Sequence, residues 1–180
     1  MMGKDNDYTD KDAWFSGIMD LYGDRLTKLS FTYTKDWGLA EDIVQEVFII
    51  CYKEYENITK IVSLKGWLFT ITINKCKDLI RSSFFKRVFT NPDLLLHAKS
   101  PELSPEMALL KSNEEAILSS CVLALPINYR EVITLFYYEE LSIEEISEIL
   151  KLNSNTIKTR MKRARMKLKS LLERRIKDGE

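Results

Sequence analysis

Residues 142–169 read SIEEISEILKLNSNTIKTRMKRARMKLK, and the spacing inside this stretch sets the fold of the C-terminal half. Ser142 and Glu145 stand three apart ahead of Ile146, Ile149 and Leu150, the order of a capping box opening a short amphipathic helix. A brief polar break, Lys151-Leu152-Asn153, follows, and a long last helix is predicted from about Ser154. In it Ile157, Met161, Ala164, Leu168 and Leu171 step by 4, 3, 4 and 3, which makes one apolar seam. Lys158, Lys162, Arg165 and Lys169 then fall along one flank, and Arg160, Arg163 and Lys167 along the other. Opposite the seam lie Asn155, Thr159 and Lys162, with Thr156 and Arg163 beside them. A short helix, a tight turn and a basic second helix form the helix-turn-helix pattern. The seam would pack inward, the cations meet phosphates, and short polar groups near the helix start reach base edges. A surface helix solvated by its own lysines carries the same charges; the turn and the two-sided cationic layout favour nucleic acid.

Working outward, Pro126 opens a further helix after Leu125, and Ser104-Pro105-Glu106 has the order N-cap, proline at the first helical position, acid in the first turn. Pro92, Pro101 and Pro105 crowd a stretch with no sustained helical pattern, which marks a linker over residues 86–104. It separates an N-terminal unit, 1–85, from a C-terminal one, 105–180. In the first unit Trp14–Tyr33 and Leu39–Tyr55 are the clearest helical stretches. A third helix starts near Ser63, a plausible N-cap, and runs through Trp67 towards Arg81. The fold class is therefore all-α: two small helical domains joined by a flexible, proline-containing linker.

Composition narrows the function. The 180 residues are 45% hydrophobic, too apolar for a disordered chain. The longest apolar run, Val47 to Tyr52, is far short of a membrane span, and the polar, acidic start is unlike a signal peptide, so a soluble cytoplasmic protein is expected. Net charge is zero, yet by segment it runs −5 over residues 1–60, +2 over 61–120, −5 over 121–150 and +8 over 151–180. A basic end on a neutral chain points to local contact with a polyanion. Cys51, Cys76 and Cys121 are scattered among apolar neighbours, and His97 has no partner at ligand spacing, so no metal site is expected. With no phosphate loop, G-x-S-x-G or H-E-x-x-H, neither an enzyme, a cofactor nor a small-molecule substrate is expected.

The Leu39–Tyr55 helix has two faces. Ala40, Ile43, Val44, Val47, Phe48, Ile50, Cys51 and Tyr55 share a broad arc, while Asp42, Gln45, Glu46, Ile49 and Lys53 lie opposite. Ile49 among acids is either a chance exposure or the apolar anchor of a protein-binding patch. On the Ser63–Arg81 helix, Trp67 and Phe69 suit a core, yet Lys75, Lys77 and Arg81 beside them also suit capture of an unpaired strand.

Three motif sets, in order, resemble a known family. Leu125-Pro126-Ile127-Asn128-Tyr129-Arg130-Glu131-Val132, Tyr138 to Ile146, Asn155 to Arg160 and Arg163-Ala164-Arg165 look like the C-terminal domain of bacterial sigma factors. Ala40 to Phe48 resembles that family's core-polymerase-binding helix, and Lys65-Gly66-Trp67-Leu68-Phe69 through Asn74 and Asp78 to Arg81 its promoter-melting helix. Two domains and a short linker fit the compact extracytoplasmic-function class, over roughly Leu21 to Leu172. The family's usual Gly, Pro and Gly through the turn are here Lys151, Asn153 and Asn155; asparagine tolerates a left-handed backbone and caps helices, so the turn is expected to survive.

The resemblance implies a factor that binds core RNA polymerase and directs it to promoters, with catalysis left to the polymerase. It implies polymerase contact through Asp42, Gln45, Glu46 and Ile49. The Asn57–Ser63 loop and the helix after it would hold the opened proximal promoter element through Asn57, Lys60, Trp67, Asn74, Lys77 and Arg81. Asn155, Thr156, Lys158, Thr159, Arg160, Lys162 and Arg163 would read the distal element as duplex. An anti-sigma partner, often membrane-bound in this class, is implied as well. Two other readings are a polymerase-independent helix-turn-helix regulator, which would bind palindromic half-sites as a dimer, and a helical interaction module without DNA function.

Overall fold

The computed structural model describes residues 4–58, 60–82 and 113–177. Every regular element among them is helical, and the chain divides into two units, Met1–Ile80 and Arg81–Glu180. The expected linker over 86–104 and the helix start at Ser104-Pro105-Glu106 lie outside the described residues.

The first unit holds α1 (Lys4–Thr34), α2 (Trp37–Lys53), a single turn α3 (Tyr55–Ile58) and α4 (Leu64–Arg81). Helix α1 begins ten residues before the Trp14 expected from the sequence. The extension is held by the far end of α2: Asp12 Oδ1 accepts from the Tyr52 hydroxyl at 2.9 Å, and Lys11 Nζ sits 3.9 Å above the Tyr52 ring. Trp14 packs edge-on against Tyr55 at 4.9 Å and Phe15 against Tyr52 at 5.0 Å. Between α1 and α2, Lys35 takes a left-handed backbone (φ 56°) and Asp36 caps α2, its Oδ1 accepting from Leu39 N at 2.9 Å. Phe31 stacks on Trp37 across this corner at 4.1 Å.

Helix α2 buries Ala40, Ile43, Val44, Val47 and Cys51, five members of the predicted arc. It stops at Glu54, whose N–H bonds back to Ile50, rather than running through Tyr55. Helix α4 buries Leu68, Phe69, Thr72, Ile73 and Cys76 on one face, and full burial of a side chain such as Phe69 or Ile73 contributes about 1.5–3 kcal/mol. Its cap is Ser63, whose Oγ accepts from Gly66 N at 3.1 Å.

The second unit holds α5 (Asn113–Ala124), α6 (Ile127–Ile133) continuing as a wide π turn (Thr134–Tyr138), α7 (Ile143–Leu150) and α8 (Ser154–Lys177). Arg130 lies buried and donates from Nε and Nη2 to the Leu125 carbonyl at 3.3 and 2.8 Å, which ties α6 to the chain just after α5. The π turn closes where Glu139 N donates to Thr134 O at 3.2 Å. Val132, Leu135, Ile146 and Ile157 are fully buried and form the centre of the core. No helix among the described residues is long and apolar enough to cross a membrane.

Candidate functional site

The turn between α7 and α8 is built from local capping chemistry. Ser142 Oγ accepts from Glu145 N at 3.2 Å and Glu145 Oε2 accepts from Ser142 N at 2.8 Å, so both halves of the predicted capping box form. Helix α7 ends on Lys151, which takes the left-handed backbone at φ 53° and ψ 45°, so the turn forms with a lysine where the family has its first glycine. Its N–H closes the last turn on the Ser147 and Glu148 carbonyls, a geometry that glycine adopts without strain. Asn153 then caps α8. Its Oδ1 accepts from Thr156 N at 2.7 Å and from Thr156 Oγ1 at 2.9 Å, so the Thr156 hydroxyl is engaged in the turn.

From that cap, the α8 seam turns inward. Ile157, Met161 and Ala164 are buried, and Leu168 and Leu171 half-buried. Asn155, Lys158, Thr159, Lys162 and Arg163 are exposed on the remaining surface. Arg160 differs. Its side chain is 23% exposed and its Nη1 donates to Glu131 Oε1 at 2.7 Å, where the glutamate is 2% exposed. On one flank Arg165 lies over Phe136 and Tyr137, with its Cζ 6.0 and 5.7 Å from the ring centroids. On the other flank an open concavity of about 770 Å³ runs between α8 and the start of α6, and brings Asn128 and Tyr129 beside Arg163 and Lys167. The sequence reading placed Lys167 on a cationic flank but did not select Asn128 or Tyr129; only tertiary packing brings these two to this helix.

In the first unit, Asp42, Gln45, Glu46 and Ile49 form an exposed stripe of α2, opposite its buried face. Ile49 is 53% exposed. Glu46 accepts from Lys75 Nζ of α4 at 2.7 Å, which joins this stripe to the neighbouring helix. Along α4, Trp67, Asn74, Lys77 and Arg81 share a second stripe away from the core; Asn74 and Arg81 are exposed, Trp67 and Lys77 half-buried. Asn57 was expected in a loop and instead sits in the α3 turn, because Ile58 buries and the Asn57 Nδ2 donates to Glu54 Oε2 at 2.7 Å. Lys60 is exposed in the following turn, next to a fully exposed Val62 that the sequence reading did not single out. Burial pushes the Cys51 and Cys76 thiols up to about 11, which suits inert core positions. Among the described residues no group of histidine, cysteine or carboxylate side chains could hold a metal ion.

The sequence model described as Sigma-70 region 2 matches residues 18–83, and that described as Sigma-70, region 4 matches residues 115–168. The ECF RNA polymerase sigma factor SigW of Bacillus subtilis is 32% identical, over 91% of this chain and 90% of that protein. The chain belongs to the ECF sigma factors. SigM of the same organism is 31% identical, over 89% of this chain and 96% of its own length. Among solved structures, the sigma factor RpoE of Bartonella quintana, crystallised with the anti-sigma factor NepR, superposes with a TM-score of 0.73 at 25% identity, over 88% of this chain and 96% of that one. CnrH, solved with the cytosolic domain of CnrY, shares the fold at a TM-score of 0.62, over 88% of this chain and 87% of that one, at 23% identity. As an ECF sigma factor the protein serves transcription initiation, and α7–α8 are the helix-turn-helix of its region 4.

Proposed function

We propose that this sigma factor bridges core RNA polymerase and promoter DNA, with each unit carrying one part of the task. One observation carries the reading: Ile49 stands half-exposed on α2 with Asp42, Gln45 and Glu46 along the same stripe, while the cations of α8 line a different unit. An apolar anchor ringed by acids suits a protein partner and repels phosphate; a cationic helix with a buried seam suits a duplex. The α2 stripe is the polymerase contact. The α4 stripe, Trp67, Asn74, Lys77 and Arg81, with Asn57 and Lys60 before it, holds the melted strand of the proximal element. On α8, Asn155, Lys158, Thr159, Lys162 and Arg163 read the distal element, Thr156 shapes the turn, and Arg160 positions the helix through Glu131. Residues 1–85 and 105–180 are the two functional domains, and 86–104 is the span between them.

Catalysis remains with the polymerase, and the chain uses no cofactor or small-molecule substrate. An anti-sigma protein holds the factor inactive in the cytoplasm, at the membrane face where that partner is membrane-bound. The polymerase-independent regulator is less well supported, because it gives the α2 stripe no work. Size-exclusion chromatography with core polymerase tests the assignment. Ile49→Ala combined with Glu46→Lys is expected to abolish co-elution while tryptophan fluorescence shows an intact first unit. Unchanged co-elution would refute the α2 contact.

A further inference from the structure

One ion pair ties α2 to α4 in the first unit. Lys75 Nζ of α4 donates to Glu46 Oε2 of α2 at 2.7 Å. Among the described residues neither side chain takes another hydrogen bond or ion pair, and both remain open to solvent, the lysine 37% and the glutamate 59% exposed. An exposed pair of this kind adds little to folding stability. Its place in the fold is more telling. Glu46 lies with Asp42, Gln45 and Ile49 on the exposed stripe of α2, and Lys75 follows Asn74 on α4, at the edge of the outer stripe that runs on to Arg81.

The Glu46 carboxylate acts in opposite senses on what approaches from its two sides. It holds the ammonium and repels any phosphate that comes near Lys75. A cation brought by a protein docking on the α2 stripe neutralises the same carboxylate and loosens its hold on the lysine. Both events bear on one group, so they are coupled, and the coupling is reciprocal. The strength of the pair bounds it: an exposed ion pair accounts for up to about 5-fold in an equilibrium constant. We infer that Glu46 gates Lys75, holding it back from the melted strand in the free factor and releasing it as a further strand contact once polymerase engages the α2 stripe. The inference rests on the polymerase and melted-strand assignments proposed for α2 and α4. It gives a task to Lys75, which neither stripe includes, and it makes single-strand binding depend on polymerase through two side chains, with no change of fold.

The test is fluorescence anisotropy on a labelled random-sequence single-stranded oligonucleotide across a KCl titration, with the full chain alone and assembled with core polymerase. In the free chain, Glu46→Gln is expected to tighten binding by up to about 5-fold and to steepen the slope of log affinity against log salt by about 0.7, one single-strand phosphate contact. In a Lys75→Gln background the same change is expected to leave the slope as it was, which separates release of the lysine from the general loss of an acid. On polymerase, Lys75→Gln is expected to make the slope shallower by about 0.7. If Glu46→Gln acts equally in both backgrounds, the acid works by charge alone and the gate is overturned. It is overturned too if Lys75→Gln costs the free and the assembled chain the same slope. Two controls locate a deeper failure. If Arg81→Gln leaves the slope on polymerase intact, the strand assignment of α4 fails; if Ile49→Ala with Glu46→Lys still co-elutes with core, the α2 assignment fails; the gate falls with either.

Discussion

Cutting Arg160 back to alanine should destabilise the second unit, quite apart from any contact with DNA. Its guanidinium lies 2.7 Å from the Glu131 carboxylate, and the glutamate is 2% exposed against 23% for the arginine. The loss therefore falls on the more deeply buried partner, an ionised carboxylate deprived of this countercharge. Removing one member of a buried pair costs about 3–5 kcal/mol. The expected loss is about 3 kcal/mol, the low end of that range, because Glu131 keeps a further interaction within the chain. Adding Glu131→Gln to Arg160→Ala should restore most of the loss at pH 7. Urea denaturation separates the units, because Trp14, Trp37 and Trp67 all lie in the first one. Their fluorescence transition should stay put while the far-ultraviolet circular dichroism gains an earlier helical component. An unchanged dichroism midpoint together with weaker DNA binding would make Arg160 a phosphate ligand and refute the reasoning.

Lys151→Gly should stabilise the second unit by about 0.5 kcal/mol in thermal denaturation, since relief of the left-handed lysine outweighs the added entropy of the unfolded glycine. Asp36→Ala removes the cap that receives Leu39 N and should cost the first unit about 1 kcal/mol, read from the tryptophan transition next to Trp37. Cys51 and Cys76, with thiols pushed up to about 11, should resist a thiol-specific disulfide reagent at pH 8 until urea exposes them. Because these thiols bind protons more tightly when folded, they add stability below pH 9 that is lost as pH climbs towards 11, which denaturation midpoints across that range will show.

What could be read from sequence was what depends on near neighbours. The Ser142–Glu145 box, the Ser63 cap and the α8 seam are local relations at spacings of three or four residues, and each formed as expected. The two faces of α2 followed from helical periodicity, including the exposure of Ile49. Contacts between distant residues were not legible. The early start of α1 depends on Tyr52, forty residues beyond Asp12. The role of Arg160 depends on Glu131, twenty-nine residues before it, and nothing in its position on the cationic flank distinguishes it from Arg163. The concavity needs α6 to lie beside α8, which no periodicity reveals. Lys151 shows a further limit: residue preference does not select a lysine for a left-handed position, and the need to close α7 on the Ser147 and Glu148 carbonyls places it there.

Transcription reconstituted from purified parts tests the bridging role most directly. The full chain would be mixed with core RNA polymerase and genomic fragments, and the 5′ ends of the products mapped. Defined start sites that depend on the chain and vanish with Ile49→Ala plus Glu46→Lys are the predicted result. Starts identical to those of core alone, with the pure chain binding palindromic duplexes tightly by itself, would contradict it.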